Sequence, residues 1–303
     1  IEAIIASDET FYLMPVFKKS TLIETAPAGL DFYRPPSPLP GENGDVIWAK
    51  QLASVENGRI WQILYRSQST NGTPVAVSGW LGVPDGLRPG EGFPLIVFGH
   101  GTTGLADHCA PTQRSNPRET IALLEDFLAR GYAVAATDYE GLGTPGLHQY
   151  LVGPSQSYSL LDSARAARRF AGAGNKLILF GHSQGGHAVI LANETAASYA
   201  PELNVLGTIG SGAGVTDESA KLLTFLQQTR YKGYVVMMAL AQRAAYGPVE
   251  SPLSLWLTDE GIRSSAALDT ICVDGLITTY GAYNSYDLFV PGAPLPKATV
   301  DAD

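Results

Sequence analysis

The stretch of sequence that decides the fold runs from Lys176 to Gly186 and reads KLILFGHSQGG. Its apolar first half predicts a buried strand, and the residues from Gly186 to Ala192 predict a helix. A Gly-x-Ser-x-Gly turn centred on Ser183 joins the two. This order of strand, turn and helix is typical of a nucleophile elbow, in which a sharp turn exposes a serine hydroxyl at the end of a sheet. We therefore predict that Ser183 is a catalytic nucleophile.

The segments around this turn alternate between strand and helix patterns. Strand patterns occur at 95–98, 132–137, 177–180 and 205–209, and helix patterns at 119–130 and 157–171. Such alternation predicts right-handed crossovers and parallel strands. Two earlier runs, 60–67 and 75–83, flank Asn71-Gly72 and predict an antiparallel hairpin at the sheet edge. The predicted fold class is α/β, with a mostly parallel central sheet.

Three regions differ in composition along the chain. Residues 1–45 form an extended N-terminal segment, because the prolines between 31 and 40 exclude helix or central strand. Residues 46–212 carry the α/β pattern. Residues 213–303 are mostly helical, with helices predicted at 222–228, 234–246 and 262–280. The apolar helices of this last region either serve plain packing or form a cap over an acyl-chain pocket, and the cap is favoured.

Composition limits the classes of function open to these 303 residues. The chain is 45% hydrophobic and 16% charged, as in globular proteins, and has no apolar run long enough to span a membrane. A formal net charge of −9 argues against a nucleic-acid partner. Neither a metal nor an organic cofactor is implied, because no Cys/His cluster or phosphate-binding glycine loop is present. The chain starts at Ile1 without a signal-peptide pattern, so we expect a mature or trimmed form.

Acyl transfer by a serine also needs donors that bind the developing oxyanion. In an elbow, the backbone N–H of the residue after the serine supplies one donor, and here that residue is Gln184. The second donor should come from the loop after an earlier strand, where Thr102 is the first choice and Thr103 the alternative. His100 in the same loop is interpreted as a structural histidine that binds loop backbone.

The general base is not identifiable by position. In elbow enzymes the acid and the histidine follow the serine, but only His187 does so here, one helical turn later. Its side chain is expected to point away from the Ser183 hydroxyl. Three explanations stay open: the acid and base belong to further sequence or to a second polypeptide, His148 serves as base, or the fold is kept without catalysis. The first is favoured.

Two motifs together resemble those of a known family. The elbow at 181–187 and the loop at 138–146 look like those of secretory lipases of the α/β-hydrolase superfamily, the yeast lipase A type. Shorter matches lie at 31–36, 44–47, 151–153 and 199–203. The resemblance implies an α/β-hydrolase fold with a helical cap or lid, and a secreted carboxylic ester hydrolase. It also gives Asp138 a structural place beside the site.

The two cysteines, Cys109 and Cys272, could by number alone be a disulfide or buried free thiols. The resemblance implies that they pair, because the family joins a cysteine after the oxyanion loop to one in the cap. It also implies a later acid and histidine, which are not found here. Asp274, Asp301 and Asp303 are not nominated as the acid.

The predicted function is hydrolysis of a small-molecule or lipid ester through an acyl-enzyme on Ser183, with Gln184 and Thr102 as oxyanion donors. Two other classes of function stay open. A serine peptidase or an acyltransferase can use the same fold and elbow, because neither fixes the substrate. A non-catalytic relative that binds lipid without turnover would explain the missing histidine.

Overall fold

A seven-stranded mixed sheet lies at the centre of the molecule. The computed structural model describes residues 26, 31–52, 54–213 and 219–293, with backbone alone for 219–223. The strands are β1 (Val46–Gln51), β2 (Gly58–Gln68), β3 (Pro74–Pro84), β4 (Phe93–Gly99), β5 (Ala133–Thr137), β6 (Ala173–His182) and β7 (Asn204–Ser211). Their order is β1-β2-β3-β5-β4-β6-β7. Strands β5, β4, β6 and β7 are parallel, whereas β1, β2 and β3 pair antiparallel and β3 is antiparallel to β5.

This arrangement confirms the predicted α/β class and the antiparallel edge. The predicted hairpin is β2 and β3, which pair over their full lengths from Gly58 with Pro84 to Gln68 with Pro74. An additional strand, β1, extends the antiparallel edge by one. Most of the predicted N-terminal segment, residues 1–25 and 27–30, lies outside the described residues, as do 214–218 and 294–303 of the predicted helical region.

The helices cover both faces of the sheet and form a separate group after β7. They are α1 (Pro111–Arg114), α2 (Pro117–Thr120), α3 (Leu124–Ala129), α4 (Gly153–Phe170), α5 (Gln184–Tyr199), α6 (Ser219–Gln228), α7 (Lys232–Glu250), α8 (Asp259–Ser264), α9 (Val273–Gly281) and α10 (Ser285–Leu288). Short 3-10 helices occupy Asp107–Cys109, Leu253–Leu255 and Ser265–Asp269. In the described part of the chain, no helix is long and apolar enough to cross a membrane.

Alternate residues of the parallel strands face opposite layers of helices. In β4, Leu95 and Val97 belong to the apolar cluster shared with α4 and α5. Ile96 and Phe98 belong to the cluster on the other face, which includes Leu124 of α3. Side chains alternate across a strand, so a continuously apolar strand must be covered on both faces. These two layers hold the carboxyl ends of β4, β5 and β6 side by side.

Two predicted helices are interrupted in the structure. The predicted helix at 119–130 is split into α2 and α3, because Leu123 adopts a left-handed conformation with φ of 61°. The predicted helix at 262–280 is split into α8, a 3-10 turn and α9, because Cys272 is extended. Cys272 is drawn into a β-bridge with Gly104 and a disulfide with Cys109, and this tertiary contact overrides its helical pattern.

The residues from 219 to 293, called the helical region below, have an apolar core of their own. The run predicted to be unusually apolar lies inside it, since Val235, Val236, Met237 and Met238 of α7 are almost fully buried. Leu105, Tyr150 and Val152, from loops at the carboxyl end of the sheet, belong to the same cluster. The helical region therefore packs directly above the end of the sheet that carries Ser183.

Strand β7 forms one edge of the sheet and shows apolar side chains to solvent. Leu206 is 61% exposed and Ile209 is 56% exposed. The outer backbone edge of β7 pairs with no other described strand. An open edge with exposed apolar side chains is a template for pairing with a further strand.

Candidate active site

Ser183 occupies the turn between β6 and α5 in a strained backbone conformation. Its φ is 56° and its ψ is −119°, a region that residues with a side chain seldom adopt. Its N–H donates to the Ser211 carbonyl of β7 at 2.7 Å, and its carbonyl accepts from His187 N–H at 3.0 Å. The surrounding hydrogen bonds hold the strained turn in place. The side chain is half-buried, so the hydroxyl is accessible.

Glycine is required where the elbow touches β4. A Cβ on Gly185 would lie 1.9 Å from the Gly99 carbonyl oxygen, and one on Gly181 would lie 2.3 Å from the Gly185 oxygen. Real Cβ atoms do not approach backbone atoms this closely, so the backbones of α5, β4 and β6 are in direct contact. This contact fixes the start of α5 against the end of β4.

The loop after β4 lies against Ser183. A Cβ built on Gly101 would be 3.7 Å from the Cβ of Ser183. Among the described residues, the N–H groups of Thr102 and Gln184 donate to no protein acceptor. Two unpaired donors thus belong to the two segments that adjoin Ser183, the loop after β4 and the start of α5, which is where an oxyanion site would need them. The Thr103 N–H in the same loop is also unpaired among these residues, so Thr103 stays the alternative donor.

A buried polar chain runs from Gln184 to Glu140. The Gln184 side-chain amide contacts His148 Nε2 at 2.8 Å, and His148 Nδ1 contacts the Glu140 carbonyl at 2.9 Å. A carbonyl only accepts, so Nδ1 carries the proton and Nε2 must accept from the Gln184 NH₂ group. Burial lowers the pKa of His148 to about 4, which keeps the ring neutral. These hydrogen bonds fix the side chain of Gln184, the residue that follows Ser183.

The Glu140 side chain extends this network away from Ser183. It accepts from Ser155 Oγ at 2.5 Å and from the Gln149 amide at 3.2 Å. Burial raises the pKa of Glu140. The sequence interpretation did not find this network. Its signal was the set of polar residues interspersed among glycines at 138–149, directly after a buried strand, where the carboxyl end of a parallel sheet collects functional groups.

Asp138 accepts hydrogen bonds that hold together the segments beside the site. Its carboxylate accepts from Ser78 Oγ at 2.6 Å, and from the Thr112 N–H at 3.2 Å and the Thr112 hydroxyl. Burial raises the pKa of Asp138 to about 6, against the lowering effect of these hydrogen bonds. The contacts tie β3, β5 and α1 together. They agree with the structural place that the family resemblance implied for Asp138.

None of the five histidines hydrogen-bonds to the Ser183 hydroxyl. His100 is buried, with Nδ1 2.6 Å from the Gly101 carbonyl, as expected of a structural histidine. His148 uses both nitrogens in the chain to Glu140, which removes it as the general base. His187 is buried, and neither of its nitrogens has a partner. His182 is exposed beside Ser211, and His108 is exposed after the loop.

The helical region is fastened to the loop that carries Thr102. Cys109 and Cys272 form a disulfide, so the pairing implied by the resemblance is confirmed. Gly104 forms a β-bridge with Cys272, and the Val273 N–H donates to the Thr103 carbonyl at 2.8 Å. His108 lies close to both sulfurs, but these are bonded to each other and leave no thiolate for a metal ion. The disulfide therefore has a structural part, joining the helical region to the loop that carries Thr102.

The sheet order, the covering helices and the serine on a strained turn after a parallel strand define an α/β-hydrolase. The sequence model of the family described as secretory lipase matches residues 113–288, more than half of the chain. The chain therefore belongs to the secretory lipase family. The predicted family and fold are both confirmed.

Two relatives illustrate the range of the family. Lipase A of Moesziomyces aphidis is 27% identical over 278 residues, which cover 85% of this chain and 58% of that protein. A probable inactive lipase of Mycobacterium tuberculosis is 28% identical over 235 residues, covering 73% of this chain and 51% of that protein. The chain spans about half the length of the curated relatives that it matches.

Solved structures show the same fold. Candida antarctica lipase A in its closed state superposes with a TM-score of 0.75 at 23% identity, covering 90% of this chain and 68% of that one. The rice cell wall degrading esterase LipA of Xanthomonas oryzae, in a ligand-bound form, gives a TM-score of 0.62 at 19% identity, covering 83% and 74%. At these identities the likeness concerns the fold alone.

Proposed function

We propose that this protein is a secreted lipid ester hydrolase in which Ser183 is the nucleophile. One observation carries the proposal: a serine on a strained turn, with unpaired backbone N–H groups at Gln184 and Thr102 beside it. Membership of the secretory lipase family supports the substrate class and the extracellular location. The names of the relatives, lipases in most cases, point the same way.

The proposed reaction proceeds through an acyl-enzyme. Ser183 Oγ attacks the ester carbonyl carbon as its proton passes to a general base, and the carbonyl oxygen becomes an oxyanion. The Gln184 and Thr102 N–H groups bind that oxyanion, a contribution of about 3–4 kcal/mol for a donor of this kind. The intermediate releases the alcohol, which takes the proton. Water then attacks the acyl group, and the free acid leaves.

We further propose that the general base and its acid come from polypeptide other than these 303 residues. Both ring nitrogens of His148 are engaged, and none of the five histidine side chains hydrogen-bonds to the Ser183 hydroxyl, which supports this proposal. The exposed apolar edge of β7 would accept a further strand, and the Ser211 carbonyl at its end already contacts the elbow. That strand, in the same chain or in a second one, would bring an acid and a histidine to the hydroxyl.

The proposal is tested by labelling and by turnover. With the polypeptide that supplies the general base present, a fluorophosphonate probe should label the protein, and Ser183→Ala should abolish the label, whereas Ser198→Ala, on the exposed side of α5, should leave it unchanged. Before labelling, the same preparation should hydrolyse p-nitrophenyl esters of increasing acyl length, and labelling should abolish that hydrolysis. Hydrolysis of aminoacyl anilides with no ester cleavage would instead show a peptidase.

A second candidate function is lipid binding without turnover. The lack of a histidine on the Ser183 hydroxyl favours it, and so does the relative named a probable inactive lipase. In that case a folded sample would bind fatty-acid esters in a displacement assay, yet neither label nor hydrolyse. Adding the further strand, by extending the chain or supplying a second one, would not change that result.

A further inference from the structure

A polar cleft opens at the end of the sheet opposite to Ser183. Its volume is about 910 Å³, and it is bordered by the first residues of β6, the last turns of α4, the end of β2 and the loop before β4. The two ends of β6 are about 30 Å apart at a rise of ~3.3 Å per residue. The cleft is therefore separate from the candidate active site.

Five arginines line this cleft, although the whole chain carries a formal net charge of −9. They are Arg66, Arg88, Arg165, Arg168 and Arg169. Three glutamates, Glu42, Glu91 and Glu202, lie among them. Clustered cations repel one another, so the arrangement is stable only if carboxylates or a bound anion offset the positive charge.

The carboxylates nearby offset only part of it. Arg165 pairs with Asp162 at 2.8 Å and with Glu202 at 2.7 Å, and Arg169 pairs with Asp45 at 2.6 Å. The Glu91 carboxylate forms an ion pair with Lys176 at 2.7 Å. Each of these ion pairs is internal to the protein. Within the described ranges, Glu42 is the lining carboxylate left without a cation inside 4 Å.

The other three arginines have no carboxylate within 4 Å in the part of the chain that the structure describes. Arg88 and Arg168 form no ion pair there, although the charge of Arg168 helps Arg165 to lower the pKa of Glu202. Arg66 donates from Nη1 to the Gly41 carbonyl, and its Nε–H is buried with no acceptor. A buried donor from a charged group costs free energy when it is left unpaired, as the Arg66 Nε–H is. Arg88 is exposed and Arg168 is half-buried, and with Arg66 they outnumber the single lining carboxylate that has no cation within 4 Å. The cleft therefore holds an excess of guanidinium donors.

We propose that this cleft binds a phosphate group, either free phosphate or the phosphate of a small polar ester or lipid headgroup. Guanidinium groups present paired N–H donors that match the oxygens of phosphate. Asn43, Gln68 and the Tyr199 hydroxyl add neutral polar groups to the walls. The largely polar lining suits a hydrophilic ligand rather than an acyl chain. The site stands apart from ester hydrolysis and does not depend on Ser183.

Calorimetric titration of the full chain with inorganic phosphate at low ionic strength tests the proposal. The double variant Arg88→Gln/Arg168→Gln should weaken binding at least about tenfold, because hydrogen bonds from charged donors are among the strongest. A matched control, Arg130→Gln/Arg243→Gln, removes the same charge from exposed positions elsewhere and should bind as the wild type does. Thermal unfolding checks that both variants are folded.

A second arm separates the two sources of phosphate. Vesicles of phosphatidylcholine with phosphatidic acid are sedimented with the protein, against vesicles of phosphatidylcholine alone. Binding of phosphatidic acid that the Arg88/Arg168 variant loses, without binding of free phosphate, assigns the site to a headgroup. If the wild type binds neither probe, or if the control variant loses as much as the cleft variant, the cleft is not a phosphate site. The Ser183→Ala variant should behave as the wild type in both arms.

Discussion

The end of the sheet around Ser183 and the helical region are held in place by different means. At the elbow, backbone touches backbone, and Gly185 and Gly181 leave no room for a side chain. The helical region packs around α7 and is joined to the loop that carries Thr102 by a disulfide, a β-bridge and one backbone hydrogen bond. The backbone contacts at the elbow leave no room for a larger side chain. The position of the helical region depends on its own apolar core and on the contacts at Cys272, and a mutation can alter the core or these contacts separately.

The largest effect is expected from a methyl group at the elbow. Gly185→Ala places a Cβ 1.9 Å from the Gly99 oxygen, and both backbones are held by the sheet and α5. We expect a loss of at least about 3 kcal/mol in the free energy of unfolding, or no folded protein. Gly275→Ala in α9 is the control, since its Cβ would meet only side-chain atoms of Ile271 at 3.1 Å or more. It should change stability by less than about 1 kcal/mol. If guanidinium unfolding showed the same loss of stability for Gly185→Ala and Gly275→Ala, the elbow would not be the more tightly constrained of the two regions.

Removing the Cys109–Cys272 disulfide should destabilise the helical region before the sheet. Cys109→Ala/Cys272→Ala opens a loop of 163 residues and should cost about 2–5 kcal/mol. Hydrogen exchange should rise in the amides of α9 and of residues 101–105, because they share the β-bridge at Cys272. Exchange in β4 and β6 should change least. Uniform loss of protection across the sheet would mean that the disulfide supports the whole fold.

Histidine protonation at low pH should destabilise the end of the sheet that carries Ser183 rather than the helical region, since every histidine lies between residues 100 and 187. Burial lowers the pKa of His187 to about 4 from 6.5, so the unfolded chain binds this proton first as the pH falls. Its contribution to stability is complete above pH 6.5 and is lost as the pH falls through about 4.

His187→Leu removes this pH-dependent contribution to the free energy of unfolding. The wild type should lose about 3 kcal/mol more than the variant between pH 7 and pH 4, from a difference of ~1.4 kcal/mol per pKa unit. Urea unfolding at several pH values measures it, with His108→Gln, at an exposed position, as control. Parallel pH profiles of wild type and His187→Leu would rule out this role for His187.

The smallest effect concerns the hydrogen bond between Gln184 and His148. Gln184→Met or His148→Phe leaves one buried polar partner unpaired and should cost about 1–3 kcal/mol. The double variant should cost much less than the sum, because both changes remove the same interaction. Equilibrium unfolding of the four proteins gives the coupling energy. Additive losses would show that the contact does not hold the start of α5.

Sequence patterns predicted the sheet better than the helical region, for a physical reason. Strands such as 95–98 and the elbow at 181–185 are specified locally, by apolar runs and by glycines that only a tight turn requires. The break of the predicted helix at Cys272 comes from contacts with Gly104 and Cys109, which no local pattern encodes. The left-handed Leu123 that splits α2 from α3 has no local signal either.

The candidate site was predicted in part. Position along the chain nominated Ser183, Gln184 and Thr102, whose roles stay predictions until they are tested. It did not connect His148 to Gln184, because that contact joins the loop after β5 to the start of α5, 36 residues away, and depends on which nitrogen of the histidine ring carries the proton. It left His148 open as a substitute base, behind the favoured explanation, and the hydrogen bonds of both buried ring nitrogens argue against that role.

The bridge between Gly104 and Cys272 has a consequence for how a bulky substrate could enter. A body anchored at one point moves least near the anchor and most far from it. The disulfide and the bridge therefore restrain any movement of the helical region most strongly at the start of α9, next to the loop that carries Thr102. A substrate could then be admitted by movement elsewhere in the helical region while that loop keeps its position.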